Sequence, residues 1–406
     1  MRALIRGHEI LAIRYILLVI AAVPFVYYGL VLYSALNFLR RSKQDQAQDR
    51  DFTPPVSCLK PIKGIDDEAY ENYASFCQQD YPQYEIVFCV DPDDPALPLI
   101  ERLTREFPQR DIRILLGSGR EAINDKVGRL TRLTREAKYD IFVITDGDVR
   151  VRPDYLRAVV SPFRDPQLGA ATCLYKATTE KSLLDKLQSI SMTSDFFAGI
   201  LVGWQLDGVK FTLAQSILTT RKNIEGFGGY PALEDRPTDD LYIGKLANQQ
   251  GFKTKLLPYV VESVPDFRSL HEFLHKRTRW FTGMRLMRPW GHAGMFFTWG
   301  LPWALVAVAT YPTAGVALAY LGGYAAFRAA ITWTIGVKLM DQQGVWEKMA
   351  LVPVWDALAF TLWLVSFGRR TIRWRGIDYR LREGRLVPVR RGAPANAVKQ
   401  RNAAEI

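Results

Sequence analysis

Apolar residues in this chain are gathered into three blocks, and between the first two the hydrophobic positions recur at the spacing of short strands and helices. Tyr15 to Leu39 contains no charged side chain and exceeds the roughly 20 apolar residues that a bilayer-crossing helix requires. It is too long for a cleavable leader, and no small-residue cleavage site precedes the polar Arg40-Arg41-Ser42-Lys43. A retained anchor is predicted. The second block, Ala293 to Val337, is interrupted by Pro302, Pro312 and Arg328. It is long enough for two crossings that turn at Tyr311-Pro312-Thr313. A third block runs from Ala350 to Gly368 around Asp356.

The polar stretch between the first two blocks has the size of one soluble domain. Val56–Lys60, Tyr84–Asp91, Asp111–Leu116 and Asp140–Ile144 read as strands. Glu68–Gln79, Leu97–Phe107 and Lys126–Ala137 have helical spacing between them. Such alternation predicts an α/β domain with a Rossmann-like, mainly parallel sheet. The chain then divides into an anchor at 1–45, the α/β domain at 46–290, transmembrane or interfacial helices at 291–370, and a basic tail at 371–406 that is disordered beyond Gly392.

The formal net charge of +11 is carried largely by the flanks of the apolar blocks and by the tail. No nucleic-acid recognition motif accompanies it, so no nucleic-acid partner is expected. Anionic headgroups account for juxtamembrane arginines more simply. Arg40, Arg41 and Lys43 behind the first block, with Arg285 and Arg288 before the second, place the domain in the cytoplasm, although Arg2, Arg6 and Arg14 pull the other way. A cytoplasmic basic tail then needs an even number of later crossings. An acid inside a bilayer is costly, so the block around Asp356 is predicted to be interfacial or re-entrant. Cys58, Cys77, Cys89 and Cys173 have no C-x-x-C spacing and read as reduced core thiols.

Candidate chemistry lies where the predicted strands end. The run Asp140-Ile141-Phe142-Val143-Ile144-Thr145 stops at Asp146-Gly147-Asp148, and the carboxyl ends of such strands are where α/β sheets bind ligands. Two hard oxygen ligands suit Mg²⁺ or Mn²⁺ bridged to phosphates, although Asp-Gly-Asp also makes an ordinary turn. Asp91 ends another strand at the same edge, where it either caps the next helix or faces a ligand. Lys126 opposes the dipole at a predicted helix start; a nearby phosphate or nucleobase would explain it, and so would plain solvation.

Further along, the glycine-rich Gly226–Pro231 turn precedes Asp239 and Asp240, with Thr238 as a possible helix cap. One carboxylate satisfies a helix start, and a second adjacent one points to a base. His275-Lys276-Arg277-Thr278-Arg279-Trp280 is either a topology signal or a guanidinium for diphosphate beside an aromatic face for a sugar. Phe196 to Leu218, apolar apart from Asp207 and Lys210, reads equally as a bilayer-touching amphipathic element or a core helix.

Together these residues resemble the ceramide glucosyltransferase family, whose pattern is three separated Asp sites followed by (Q/R)-x-x-R-W. Leu59-Lys60-Pro61-Ile62-Lys63-Gly64-Ile65-Asp66, Asp80-Tyr81-Pro82-Gln83-Tyr84-Glu85, Asp93-Asp94-Pro95-Ala96, Asn124-Asp125-Lys126-Val127 and Val149-Arg150-Val151-Arg152-Pro153-Asp154 are similar to it as well. The resemblance covers Pro54 to Trp280 and the membrane layout. It implies a GT-A fold, inversion, and a UDP-sugar donor, UDP-glucose or UDP-N-acetylglucosamine. By resemblance Asp91 and Lys126 contact the nucleotide, Asp146 and Asp148 the metal-bound diphosphate, and Asp240 is the general base. Arg279 and Trp280 flank the donor–acceptor junction. Lys276 takes the first position of the last motif, where Lys cannot reproduce a bidentate Arg contact.

The acceptor implied is a membrane lipid, ceramide first and a hopanoid polyol second, with the protein in the bacterial inner membrane or its equivalent. A processive polysaccharide synthase would need more crossings after the domain. A scaffold that merely kept the fold would have no use for acids at every expected position.

Overall fold

The computed structural model describes residues 2–46, 51–118, 124–236, 238–265, 267–374, 377–382 and 384–389. Eight strands form the main sheet: β1 (Val56–Pro61), β2 (Tyr84–Val90), β3 (Asp111–Leu116), β4 (Ile141–Ile144), β5 (Val149–Arg150), β6 (Leu168–Ala177), β7 (Ile217–Thr220) and β8 (Lys253–Ser263). Their order is β3-β2-β1-β4-β7-β6-β8-β5. The first four run parallel. β7 is antiparallel to both β4 and β6, and β8 is parallel to β6. Two reversals restore direction, so β1, β2, β4, β6 and β8 all present their carboxyl ends at one edge. That edge is where the candidate acids fall.

β1, β2 and β6 are buried along almost their whole length, as strands covered by helices on both faces must be. Helices Ala69–Cys77, Leu97–Glu106 and Asp125–Glu136 lie close to their expected limits. All four cysteines are free and buried.

The amino-terminal helix, Arg2–Gln46, continues well beyond its apolar segment. Among the described residues two helices are long and apolar enough to cross a membrane, Leu11–Lys43 and Ala314–Leu339; a third span results if Pro289–Thr298 and Gly300–Thr310, bent by 50° at their break, act as one. The expected turn lies between Thr310 and Ala314. Gly300 donates its N–H to Tyr28 Oη at 3.0 Å. A Cβ there would lie 2.4 Å from that oxygen, so glycine lets the bundle close on the anchor.

The block around Asp356 is a regular helix, Leu351–Phe367, too short to count among the membrane-spanning candidates, and Asp356 is 4% exposed. Arg328 of the preceding span forms a two-pronged ion pair with it, and Tyr324 Oη donates to it at 2.7 Å. The cost of an isolated intramembrane acid is thereby offset. One expectation is corrected here. The stretch from Phe196 to Leu218 is not one helix: a π-turn, Met192–Phe196, leads into helix Phe197–Asp207, which stops at Gly208, and β7 follows. That helix docks on the anchor through Trp204 against Phe38 and an Asn37–Gln205 hydrogen bond of 2.7 Å.

The basic tail carries secondary structure that was not foreseen. A three-stranded antiparallel sheet, β9 (Ile372–Trp374), β10 (Ile377–Arg382) and β11 (Arg385–Pro388), packs Ile372, Tyr379 and Leu386 against Leu286. The disorder expected beyond Gly392 lies outside the described residues.

Candidate active site

Asp146 and Asp148 leave the end of β4 in a tight turn held from below by Lys60. Lys60 is fully buried, its ammonium 3.6 Å from the centre of the Phe76 ring and donating to the Asp146 carbonyl at 3.2 Å. Burial pushes its pKa down to about 7. Gly147 is needed for the fit: a Cβ would come 2.9 Å from Asp66 Oδ2. Ser263, ending β8, donates to Asp148 Oδ2 at 2.7 Å. Burial, then the neighbouring Asp146 charge, lifts the Asp148 carboxyl to about 6.

Lys126 begins helix Asp125–Glu136, where Asn124 caps its backbone N–H at 3.1 Å. Its ammonium meets Asp146 Oδ1 at 2.6 Å. Burial alone would lower its pKa, but Asp146, Asp239 and Asp240 outweigh burial and raise it. The dipole penalty foreseen for a lysine at a helix start is therefore met by carboxylates.

Asp239 and Asp240 open helix Asp239–Gln249, and Asp239 is the more buried of the two. Burial, then repulsion from Asp239, drives the Asp240 carboxyl up to about 7, while Lys126 pulls it back. The cap expected from Thr238 is not made: its side chain caps nothing and its hydroxyl faces Met287 Sδ at 3.7 Å. Asp91 does not cap the next helix either. It forms an ion pair with Arg129, which is 1% exposed and also binds Asp125.

Helix Leu270–Met287 carries the remaining candidates. Lys276 bonds Glu272 at 2.7 Å and sits 5.0 Å from the Phe267 ring. Arg279 has no carboxylate partner among the described residues, and burial lowers its pKa. Trp280 is 38% exposed and stacks at a tilt on Phe196, 4.7 Å between centroids. A cleft of about 980 Å³ opens over the sheet edge, with Asp146, Asp148, Lys276, Tyr175, Ser263 and Asp66 in its wall. Asp91, Lys126, Asp240, Arg279 and Trp280 stand outside that wall. Lys126 links Asp240 to it electrostatically.

Among the described residues no three His, Cys, Asp or Glu side chains converge as a self-sufficient metal site. The donor set nevertheless fits Mg²⁺ or Mn²⁺, because these ions are commonly held by one or two carboxylates and completed by phosphates and water. Asp146 and Asp148 would supply the protein oxygens, and the Asp66 carboxylate against Gly147 adds negative charge at the same turn.

Sequence reasoning passed over Lys60, Asp66, Arg129 and Ser263. A lysine inside an apolar strand was the available signal for Lys60, and the Asp125–Arg129 spacing for Arg129. Ser263 carried none, because β8 itself was not foreseen.

A family model described as Glycosyl transferase family 21 matches residues 16–387. The chain belongs to this family. Within Glycosyl transferase family 21 it is thus a glycosyltransferase, as the motifs from Pro54 to Trp280 led one to expect. Curated relatives include Ceramide glucosyltransferase 3 of Caenorhabditis elegans, 24% identical over 64% of this chain and 58% of that protein. Ceramide glucosyltransferase 1 of the same organism is 21% identical over 82% of this chain and 72% of that one. Among solved structures, a mannosyltransferase from Pyrobaculum calidifontis in complex with GDP-Man and Mn²⁺ superposes with a TM-score of 0.51 at 20% identity, covering 83% of this chain and 99% of that one. That likeness supports the GT-A fold.

Proposed function

We propose that the protein is a membrane-bound glucosyltransferase that moves glucose from UDP-glucose to a hydroxyl of ceramide, with inversion. The observation that carries this is the convergence of two sets of acids, Asp146 and Asp148 at the cleft and Asp240 on the neighbouring helix, around one lysine. The sugar and the lipid are those of its ceramide glucosyltransferase relatives.

In this reading Asp91 and Lys126 bind the nucleotide, and Asp146 and Asp148 face the diphosphate. A divalent cation on those two acids would neutralise charge on the departing UDP. The acceptor oxygen attacks the anomeric carbon as the bond to UDP breaks, the bonding pair leaves with UDP, and the hydroxyl proton passes to Asp240. A carboxyl poised near 7 is suited to that transfer. Arg279, lacking a described partner, is free to stabilise the diphosphate, and Trp280 offers a face to the sugar. Lys276 would have to release Glu272 to join them.

The catalytic domain faces the cytoplasm of a bacterial inner membrane or its equivalent in this proposal, where UDP-sugars are made. Because all four cysteines are buried, the test is Glu101→Cys, on an exposed helix face. It should resist a membrane-impermeant thiol reagent in intact cells and react after lysis; labelling in intact cells refutes the orientation.

The activity is tested by giving membranes labelled UDP-glucose or UDP-N-acetylglucosamine with ceramide or a hopanoid polyol, then resolving the lipids. Labelled glucosylceramide of inverted configuration supports the proposal. Label only on a hopanoid from UDP-N-acetylglucosamine replaces it with the alternative acceptor, and no labelled lipid refutes both.

A further inference from the structure

We propose that the carboxyl-terminal sheet β9–β11 is a positioning clamp that sets the Asp240 helix against the helix carrying Arg279 and Trp280. This rests on Asp240 being the base. The contacts converge on the β10–β11 turn. Leu386 N–H donates to the Asp235 carbonyl at 2.6 Å, and Arg385 Nη1 meets Asp235 Oδ2 at 2.9 Å. Arg236 Nη1 and Tyr242 Oη donate to the Gly384 carbonyl at 3.2 and 3.5 Å, with the Arg236 guanidinium 4.8 Å from the Tyr242 ring centre. Asp235 and Arg236 precede the Asp239–Asp240 pair and Tyr242 follows it, so the turn grips the pair from both sides.

The helix needs such a grip. Its first turn has no side-chain cap, it places two acids side by side, and the approach contains Gly228 and Gly229, both at positive φ. The uncapped end leaves backbone N–H groups without a side-chain partner, so its placement depends on neighbouring elements. The apolar side chains of the small sheet, Ile372, Tyr379 and Leu386, pack on Leu286 of helix Leu270–Met287. Arg285 of that helix also donates to the Arg369 carbonyl, just before β9. One element thus touches both helices that must meet across the reacting bond.

Gly384 is the sensitive point. Its φ is +74°, and a Cβ would approach Tyr242 Oη to 3.2 Å and Arg236 Nη1 to 3.3 Å. The exposed Arg385–Asp235 pair is weak by itself and serves as the register check.

The test compares Gly384→Val, Arg385→Ala, the exchange Arg385→Asp with Asp235→Arg, and Asp240→Asn in the full chain. Displacing a catalytic group by ~1 Å can cost ~100-fold. Gly384→Val should therefore lower kcat by about tenfold or more, with donor KM within about twofold; its positive φ strains the valine, so Tm falls as well, and kcat is read at a temperature well below the transition. Arg385→Ala should lower kcat less, and the exchange should recover that loss. An unchanged kcat in Gly384→Val overturns the clamp. So does a fall in kcat matched by an equal rise in donor KM, which would make the sheet merely structural. Failure of the exchange removes the ion pair from the clamp. If Asp240→Asn alone keeps its turnover, the base assignment fails instead.

Discussion

Lys126 Nζ lies 2.6 Å from Asp146 Oδ1 and is held at the same time by the charges of Asp239 and Asp240. One cation therefore serves the cleft acids and the proposed base together. Removing it should be felt on both sides. Lys126→Met should weaken donor binding. It should also push the Asp240 carboxyl further up, since Lys126 is what holds it down, and the acidic limb of kcat against pH should move to higher pH. A limb that stays in place separates Lys126 from the base.

The unmodified protein should lose activity as pH falls through about 7, the value to which burial and Asp239 lift Asp240. The sign follows from the role: a base works deprotonated, so a raised pKa moves the loss upward from the usual carboxylate range. Asp239→Asn removes the repulsion and should shift the limb downward. A profile flat from pH 5 to 8 contradicts both statements.

Chelation should abolish transfer, and Asp148→Ala should do the same with the fold retained by circular dichroism. Full turnover in chelator, with metal removal verified by elemental analysis, would exclude a metal role for this pair.

Arg328→Ala or Asp356→Ala should each destabilise the bundle by about 3–5 kcal/mol, because each strands a buried charge. Arg328→Met combined with Asp356→Leu should cost much less. Thermal unfolding in detergent reads the comparison; equal losses in the single and double variants would mean that the pair is not what holds these helices.

The amino-terminal half of the sheet was legible because β1 to β4 alternate with helices and end on acids, so periodicity marks both element and site. β6, β7 and β8 were not. β6 and β8 are long strands whose residues, such as Gly169-Ala170-Ala171 and Lys253-Thr254-Lys255, carry little strand signature, and their pairing is fixed only by contacts distant in sequence. The setting of Asp356 was illegible for a related reason. Its partner Arg328 is 28 residues away, and an ion pair across two helices leaves no local spacing to read. The carboxyl-terminal sheet was hidden by its arginines, which look like a topology signal until Tyr379 and Leu386 are seen packed beneath them. Asp146, Asp148 and Asp240 stand out in the sequence because acids at element ends are anomalous in themselves.

The most direct test of the account is steady-state transfer from UDP-glucose to ceramide by Asp240→Asn and Asp239→Asn beside the unmodified protein. Asp240→Asn should lower kcat by roughly two to four orders of magnitude, the usual range for losing a general base, while donor affinity changes little. Asp239→Asn should keep most of its turnover. Near-normal turnover in Asp240→Asn would contradict the account, pointing to Asp239 if that variant is the inactive one and to no carboxylate base in this helix if neither is.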